Sequence, residues 1–366
     1  MSRRRKNKSK KNGNLKALLA ILIILVIAVA ILLAIKIVDS QNTELPVSET
    51  EPPIIEEKEV QIYKGNDRPI AVMIDNHEDA WPQANLNKAY IVYEIIVEGG
   101  ETRLMAVYKG QDLDKVGPIR SSRHYFLDYA MENDAIYVHY GWSPQAESDI
   151  STYKVNNING LVQSEKDFWR AKDKYAPHNA VSSTDNILKI AKAKEYRTTS
   201  TQDSVLNYKA DEVKLENADS AIKVTIPFST LQTVAYEYNE ETKLYERYAR
   251  KELQKDWDTD ETVVAKNIII TFAENYTLTD SENKGRQGLK NIGTKEGYYI
   301  TNGEAIKITC EKSGRTEKTV YKDLQGNEIN VNDGNTFIEI CPLDAKVVIE
   351  GVPEPTVTPD TSTVSE

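Results

Sequence analysis

The chain has 366 residues, with 46 Lys and Arg against 56 Asp and Glu and a formal net charge of −10. An apolar content of 40% and 20 tyrosines can build packed cores, which excludes wholesale disorder. The length allows two domains of ordinary size with appendages.

The first 38 residues stand apart. Arg3, Arg4, Arg5, Lys6, Lys8, Lys10, Lys11 and Lys16 are cationic and no acid precedes Asp39. Ala17–Ile35 is then an unbroken run of 19 Ala, Leu, Ile and Val residues. As a helix it would be about 28 Å long, close to a hydrocarbon core of roughly 30 Å. The run is longer than the apolar stretch of a signal peptide, and no small-residue cleavage site follows it. We therefore expect a basic cytoplasmic segment at 1–16, an uncleaved transmembrane anchor at 17–38, and everything later outside the cell. Without the anchor's nine cations the outer part holds 37 basic and 56 acidic residues, a net of −19. That surface disfavours nucleic acid and anionic lipid as partners.

Residues 39–62 are acidic, contain proline and lack periodicity, as a flexible stalk would. A mixed α+β domain is expected over 63–203. RPIAVMIDN (68–76) reads as a buried strand, and AYIVYEIIVEGGETRLMAVYKG (89–110) as a hairpin around Gly99-Gly100. After Gly117-Pro118, the apolar residues of IRSSRHYFLDYAMEN predict a helix that begins near the arginines. AIYVHYGW returns to strand. SPQAESDISTYK and STDNILKIAKAKEY read as helices with serine or threonine caps.

A β-rich domain is expected over 204–350, after the linker-like TTSTQDS. AIKVTIPF, TVAYEYNEETKLYERYAR, VVAKNIIITF, GYYITNGEAIKITC and NTFIEIC are β-branched or aromatic runs, and Asn302-Gly303 fits a type I′ hairpin turn. The fold class is thus α+β, with a mixed first domain, a β-rich second domain and one preceding transmembrane helix. Residues 351–366 read as a disordered tail. Cys310 and Cys341 lie in strand-like stretches, and both pairing across strands and separate burial stay open.

All four histidines, His77, His124, His139 and His178, fall in the first half. Near them are Asp75 and Asn76 at a strand end, Glu94 in an apolar strand, EGGETR (98–103), and Arg120, Ser121 and Arg123. The natural partners for Glu94, Glu98 and Glu101 are Arg103, Arg120 and Arg123. Three readings fit these residues: an internal ion-pair network, an anion site at a helix N-terminus behind Pro118, or a carboxylate and histidine acting as acid and base. For the last, Asp75 or Glu98 with His124 or His178 are the first pairs to test. Of the arginines, Arg120 is expected to be paired internally and Arg123 to meet a ligand.

No metal-binding spacing, serine-nucleophile elbow or nucleotide loop is present, so no cofactor or metal is expected. DWDTDE (256–261) starts like a calcium loop, but Glu261 stands where that loop needs glycine, which favours a plain turn.

RPIAVMIDNHEDAWPQ, IVYEIIVEGGETRLMAVY, VGPIRSSRHY, AIYVHYGWS and YAPHNA, in that order, resemble the YerB-like family of Gram-positive bacteria. Its members are described as lipoproteins and are built on a domain of unknown function with its own C-terminal domain. The resemblance runs from about 63 to 350. It places Asp75, Asn76, Glu98, Gly99, Gly100, Thr102, Arg103, Gly117, Pro118, Arg120, Ser121, Arg123, His139 and His178 at motif positions, and it brings no activity with it. The lipidated cysteine of such lipoproteins is missing, and the apolar helix stands in its place.

The role expected is a membrane-anchored, extracytoplasmic binding or interaction module of the cell envelope. Its partner would be an anionic small ligand or an envelope protein, and the ligand-binding set Asp75, Asn76, Glu98, Arg103, Arg120, Ser121, Arg123, His139 and His178. The alternative is a cell-envelope hydrolase.

Overall fold

The structure, a computed structural model, describes residues 8–41, 58–279 and 282–351. The described residues form two units. The first is helix α1 (Lys8–Gln41), in which Lys16–Ser40 is long and apolar enough to cross a membrane. Part of the basic segment is thus already helical. Most of the expected stalk and all but the first residue of the expected tail lie outside the described residues.

The second unit begins at Lys58 and is built on a 12-stranded mixed sheet. Its first-half strands are β1 (Ile70–Asp75), β2 (Ile91–Ile96), β3 (Thr102–Tyr108), β4 (Ile136–His139) and β5 (Asn157–Asn159). β3 lies between β1 and β2, antiparallel to both, and β4 runs parallel to β1. Hence β1, β2 and β4 all point the same way. β1 is apolar from Ile70 to Ile74, as a strand with both sheet faces buried should be, and ends in Asp75. Ile70, Val72 and Ile74 enter one core layer, Ala71 and Met73 the other.

The sheet continues across the boundary expected near 204. Strand Thr336–Pro342 pairs in parallel with β2, and strand Asn267–Thr277 pairs in parallel with that strand in turn. The 198–204 stretch is tied down as well: Thr198 accepts from Arg68 N–H and Ser200 donates to Asn66. A second, six-stranded sheet contributes Val224, Ile226, Val234, Tyr236 and Tyr245 to the core layer on one face of the main sheet. Helix α2 (Phe126–Glu132) covers the other face with Phe126, Leu127 and Ala130.

Local structure follows the sequence closely where turn chemistry dictates geometry. Asn302 and Gly303, at φ 52° and 79°, join strands Gly293–Thr301 and Glu304–Lys312. Helix α3 (Pro144–Thr152) has Pro144 in its first turn, and Ser143 accepts from the Ala146 N–H. Beyond β5, the short strands β6 (Phe168–Arg170) and β7 (Ala180–Ser182) form a separate pair, and helix α4 (Thr184–Ala193) is capped by Ser183.

The helix expected from Ile119 begins only at Phe126. Residues 116–122 instead form an extended strap wedged between the ends of β1 and β4. Asp75 N–H donates to Pro118 at 2.8 Å, Arg120 N–H to Met73 at 2.9 Å, and Tyr140 N–H to Arg120 at 2.9 Å. The strap's backbone groups find sheet partners, so no helical turn is needed to satisfy them. Arg120 and Arg123 therefore do not sit at a helix N-terminus. Gly117 allows the strap's entry: its φ is 136°, and a Cβ there would meet the Ala180 carbonyl at 3.0 Å.

Candidate functional site

The strap, the β2–β3 turn and the loop before β7 meet beyond the carboxyl ends of β1, β2 and β4. Open sheets place ligand crevices at such ends. A cleft of about 400 Å³ opens there. Five cationic side chains line it, Arg103, Arg120, Arg123, Lys284 and Arg286, against three carboxylates, Asp75, Glu98 and Glu101. On a body with a large acidic excess this is a local reversal of charge.

Asp75, the last residue of β1, is the hub. Its Oδ2 lies 2.8 Å from His178 Nδ1 and 3.2 Å from Arg120 Nε. A carboxylate only accepts, so His178 donates through Nδ1, which in the uncharged tautomer puts the lone pair on Nε2. The His178 loop is held by Asn179, whose amide donates to the carbonyls of Ala171 and Lys174.

Arg123 is held on two sides. Its Nε donates to Glu98 at 2.6 Å, and its Nη1 to Ser121 Oγ at 3.0 Å and to the Ser122 carbonyl at 2.8 Å. Burial opposes ionisation of Glu98, but the Arg123 hydrogen bond and charge outweigh it and hold the carboxyl below its usual range. Arg103 is buried and donates through Nη1 to the Ser121 carbonyl at 2.6 Å, while its Nε has no partner. Burial, with Arg123 nearby, lowers its pKa to about 10. Arg120 is paired with Asp75 as expected, but the geometry is too poor for a hydrogen bond, and its Nε is left unpartnered. Its side chain is 28% exposed. Arg120 is thus paired internally as expected yet keeps donors to spare, while Arg123 is tied to Glu98 through Nε and to the strap through Nη1.

Only one of the expected ion pairs forms, because arginines from the second half reach the others first. Glu94 and Arg247 are both fully buried and paired, and Arg250 pairs with Glu101. These partners are 153 and 149 residues apart. Asn76 is buried and donates to Thr102 Oγ1 at 2.8 Å and Glu94 at 3.2 Å, supporting the cleft from behind. His139 is buried between the Gly141 carbonyl and Asn157 and does not line the cleft. Neither does His124.

Sequence spacing did not single out His77 or Asp79. The His77 ring stacks on His178 with centroids 4.4 Å apart, and Asp79 Oδ2 lies 4.0 Å from His178 Nε2. Trp142, 36% exposed, forms part of the cleft wall.

Comparison with known proteins agrees with the resemblance. The family described as "Protein of unknown function (DUF3048) N-terminal domain" matches residues 56–197, and its C-terminal domain matches 224–338. YerB of Bacillus subtilis (strain 168), described as a candidate lipoprotein, is 31% identical over 296 residues, covering 78% of this chain and 84% of YerB. The crystal structure of YerB protein from Bacillus subtilis superposes with a TM-score of 0.69 at 30% identity, over 77% of this chain and 94% of that one. With both halves matched in order and the fold shared, this chain belongs to the DUF3048 family of YerB-like proteins.

Proposed function

We propose that this chain is a membrane-anchored, extracytoplasmic binding module whose arginine-lined cleft holds an anionic group, a carboxylate or a phosphate ester. The carrying observation is the convergence of Arg103, Arg120 and Arg123 on one cleft, where Arg120 is 28% exposed and the Nε of Arg103 and of Arg120 has no hydrogen-bond partner. A guanidinium fork matches carboxylate and phosphate geometry in a bidentate manner. The acidic surface repels a polyanion at long range, so the cleft suits a small anion or a single anionic end group. The flat face of Trp142 offers an apolar wall beside it. The basic flank of α1 supports an N-terminus in the cytoplasm and a body outside.

The test is titration of the full-length protein in nanodiscs with inorganic phosphate and with succinate, followed by tryptophan fluorescence. Saturable binding is expected, weakened at least tenfold by Arg120→Ala without loss of the folded state. Failure of both anions to bind saturably would reject the reading.

A hydrolase is the second reading, supported by the Asp75–His178 hydrogen bond at the cleft, an arrangement suited to general acid–base work. Release of soluble products from cell-wall material, abolished by His178→Ala, is its expected signature. An unchanged release by that variant rejects it.

A further inference from the structure

We infer that His77, Asp79 and His178 form a binding site for a divalent transition metal of the zinc type at one end of the cleft. One ligand atom from each residue lies within 4.8 Å of the other two. Donors around a bound zinc ion stand about 3.4 Å apart, given bonds of about 2.0–2.1 Å, so the trio is slightly open. Closing it needs His77 to turn out of its stack on His178, so that both ring lone pairs converge, and to release the Asp79 N–H if it binds through Nδ1. The freedom is available, because the His77 and Asp79 side chains are 34% and 66% exposed and sit on a single short turn.

The most buried ligand is already oriented. Asp75 accepts a hydrogen bond from the Nδ1–H of His178, which directs Nε2 away from Asp75. Carboxylate–histidine pairs of this kind fix the tautomer of metal-binding imidazoles. Two imidazoles and a carboxylate are a donor set that suits zinc-type ions and not magnesium or calcium. Three protein ligands leave a coordination position open. Arg120, which shares Asp75 Oδ2 with His178, is a second positive centre lining the same cleft, where an anion would meet both charges. The site does not depend on the anion-binding reading, since metal can bind with water in that position.

The test uses full-length protein in nanodiscs, stripped with a chelator and titrated with Zn(II) against a chromophoric competitor. One saturable site per chain is expected, and Co(II) substitution should give visible absorption bands of a low-coordinate ion. His178→Ala and His77→Ala should each weaken Zn(II) binding at least tenfold. Far-UV circular dichroism reports whether each variant is folded. If His178→Ala fails to fold, the more exposed His77→Ala decides the matter. Absence of a saturable site, or unchanged affinity in a folded variant, overturns the proposal. Phosphate binding that persists in chelator while Zn(II) binding fails would reject the metal site and leave the anion cleft standing.

Discussion

Asp75 and His178 are 103 residues apart in the chain, yet Oδ2 of one lies 2.8 Å from Nδ1 of the other. The same oxygen lies 3.2 Å from Arg120 Nε. One buried atom therefore neutralises the guanidinium proposed to hold an anion and orients the imidazole proposed to hold a metal. Asp75→Asn, of nearly equal shape, separates these roles. Removing the negative charge frees Arg120, and phosphate binding should tighten by about 3–10-fold, on the order of 1 kcal/mol. Losing the carboxylate behind His178 should weaken Zn(II) binding by about 10–100-fold. Both titrations on one preparation decide the point. A fall in both would mean that Asp75 only maintains the cleft's shape.

The Glu94–Arg247 pair makes a prediction about stability. Both side chains are fully buried, and Glu94 stands opposite Glu339 in the register of two parallel strands. Burial, reinforced by Glu94, pushes the Glu339 carboxyl well above its ordinary range, so Arg247 mainly answers the charge on Glu94. Arg247→Met would strand that charge in the core at a cost of about 3–5 kcal/mol. At roughly 2–4 °C per kcal/mol, the melting temperature should fall by about 10 °C. The double variant Glu94→Gln with Arg247→Met removes the charge as well and should recover more than half of the loss. Thermal unfolding of the full chain followed by circular dichroism checks this. Strictly additive single-variant effects would show that the two residues are not coupled.

The same pair shows where sequence stopped being informative. Asn302-Gly303 and Ser143-Pro144 could be read because a few adjacent residues determine a turn or a cap. The two core faces of β1 were implicit in its unbroken apolar run. Glu94 was correctly read as needing a cation, but the nearest arginines in sequence were not the nearest in space. Parallel pairing of Thr336–Pro342 with β2 brings the second half alongside, and no local pattern encodes that pairing. The helix expected from Ile119 failed for the same reason: its backbone partners lie in β1 and at Tyr140. Asp75, His178 and the arginines are legible as polar residue types at element ends, and the structure brings them to one cleft. His77 and Asp79 were missed as a pair because their third member comes from a loop about a hundred residues on.

His139 should shape the response to acid. Burial lowers its pKa from 6.5, with hydrogen bonds to Asn157 and Gly141 opposing. The unfolded chain thus binds the proton more readily, and the group's contribution is present above 6.5 and is lost as pH falls below it. Asp128 acts in the opposite sense. Burial raises its pKa to about 6 against the pull of Arg315, so its contribution is present below 3.8 and lost as pH rises through about 6. The wild-type profile mixes the two, and comparison with His139→Gln isolates the first. Urea unfolding at several pH values should show wild type more stable than the variant at pH 7.5 by about 1–3 kcal/mol. That gap should narrow steadily as the pH is lowered toward 5. A gap independent of pH would mean that the imidazole is not held neutral by its surroundings.

Cys310 and Cys341 are both free and buried. Their strands, Glu304–Lys312 and Thr336–Pro342, are separated by two others in the main sheet. Three strand spacings place them about 14 Å apart, beyond the roughly 7 Å that a disulfide can span. Burial pushes the Cys310 thiol up to about 12, with Thr271 slightly opposing, and raises Cys341 well above its ordinary value. Thiolate, the reactive form, is therefore scarce as well as inaccessible. A thiol reagent such as DTNB, added without reductant, should modify the folded protein at least about 100-fold more slowly than a small free thiol. In guanidinium chloride it should titrate two thiols per chain at once. Two reactive thiols only after reduction would reveal a disulfide and overturn the assigned pairing of these strands. Fast labelling of the folded chain would instead show that the sheet opens near its Cys310 end.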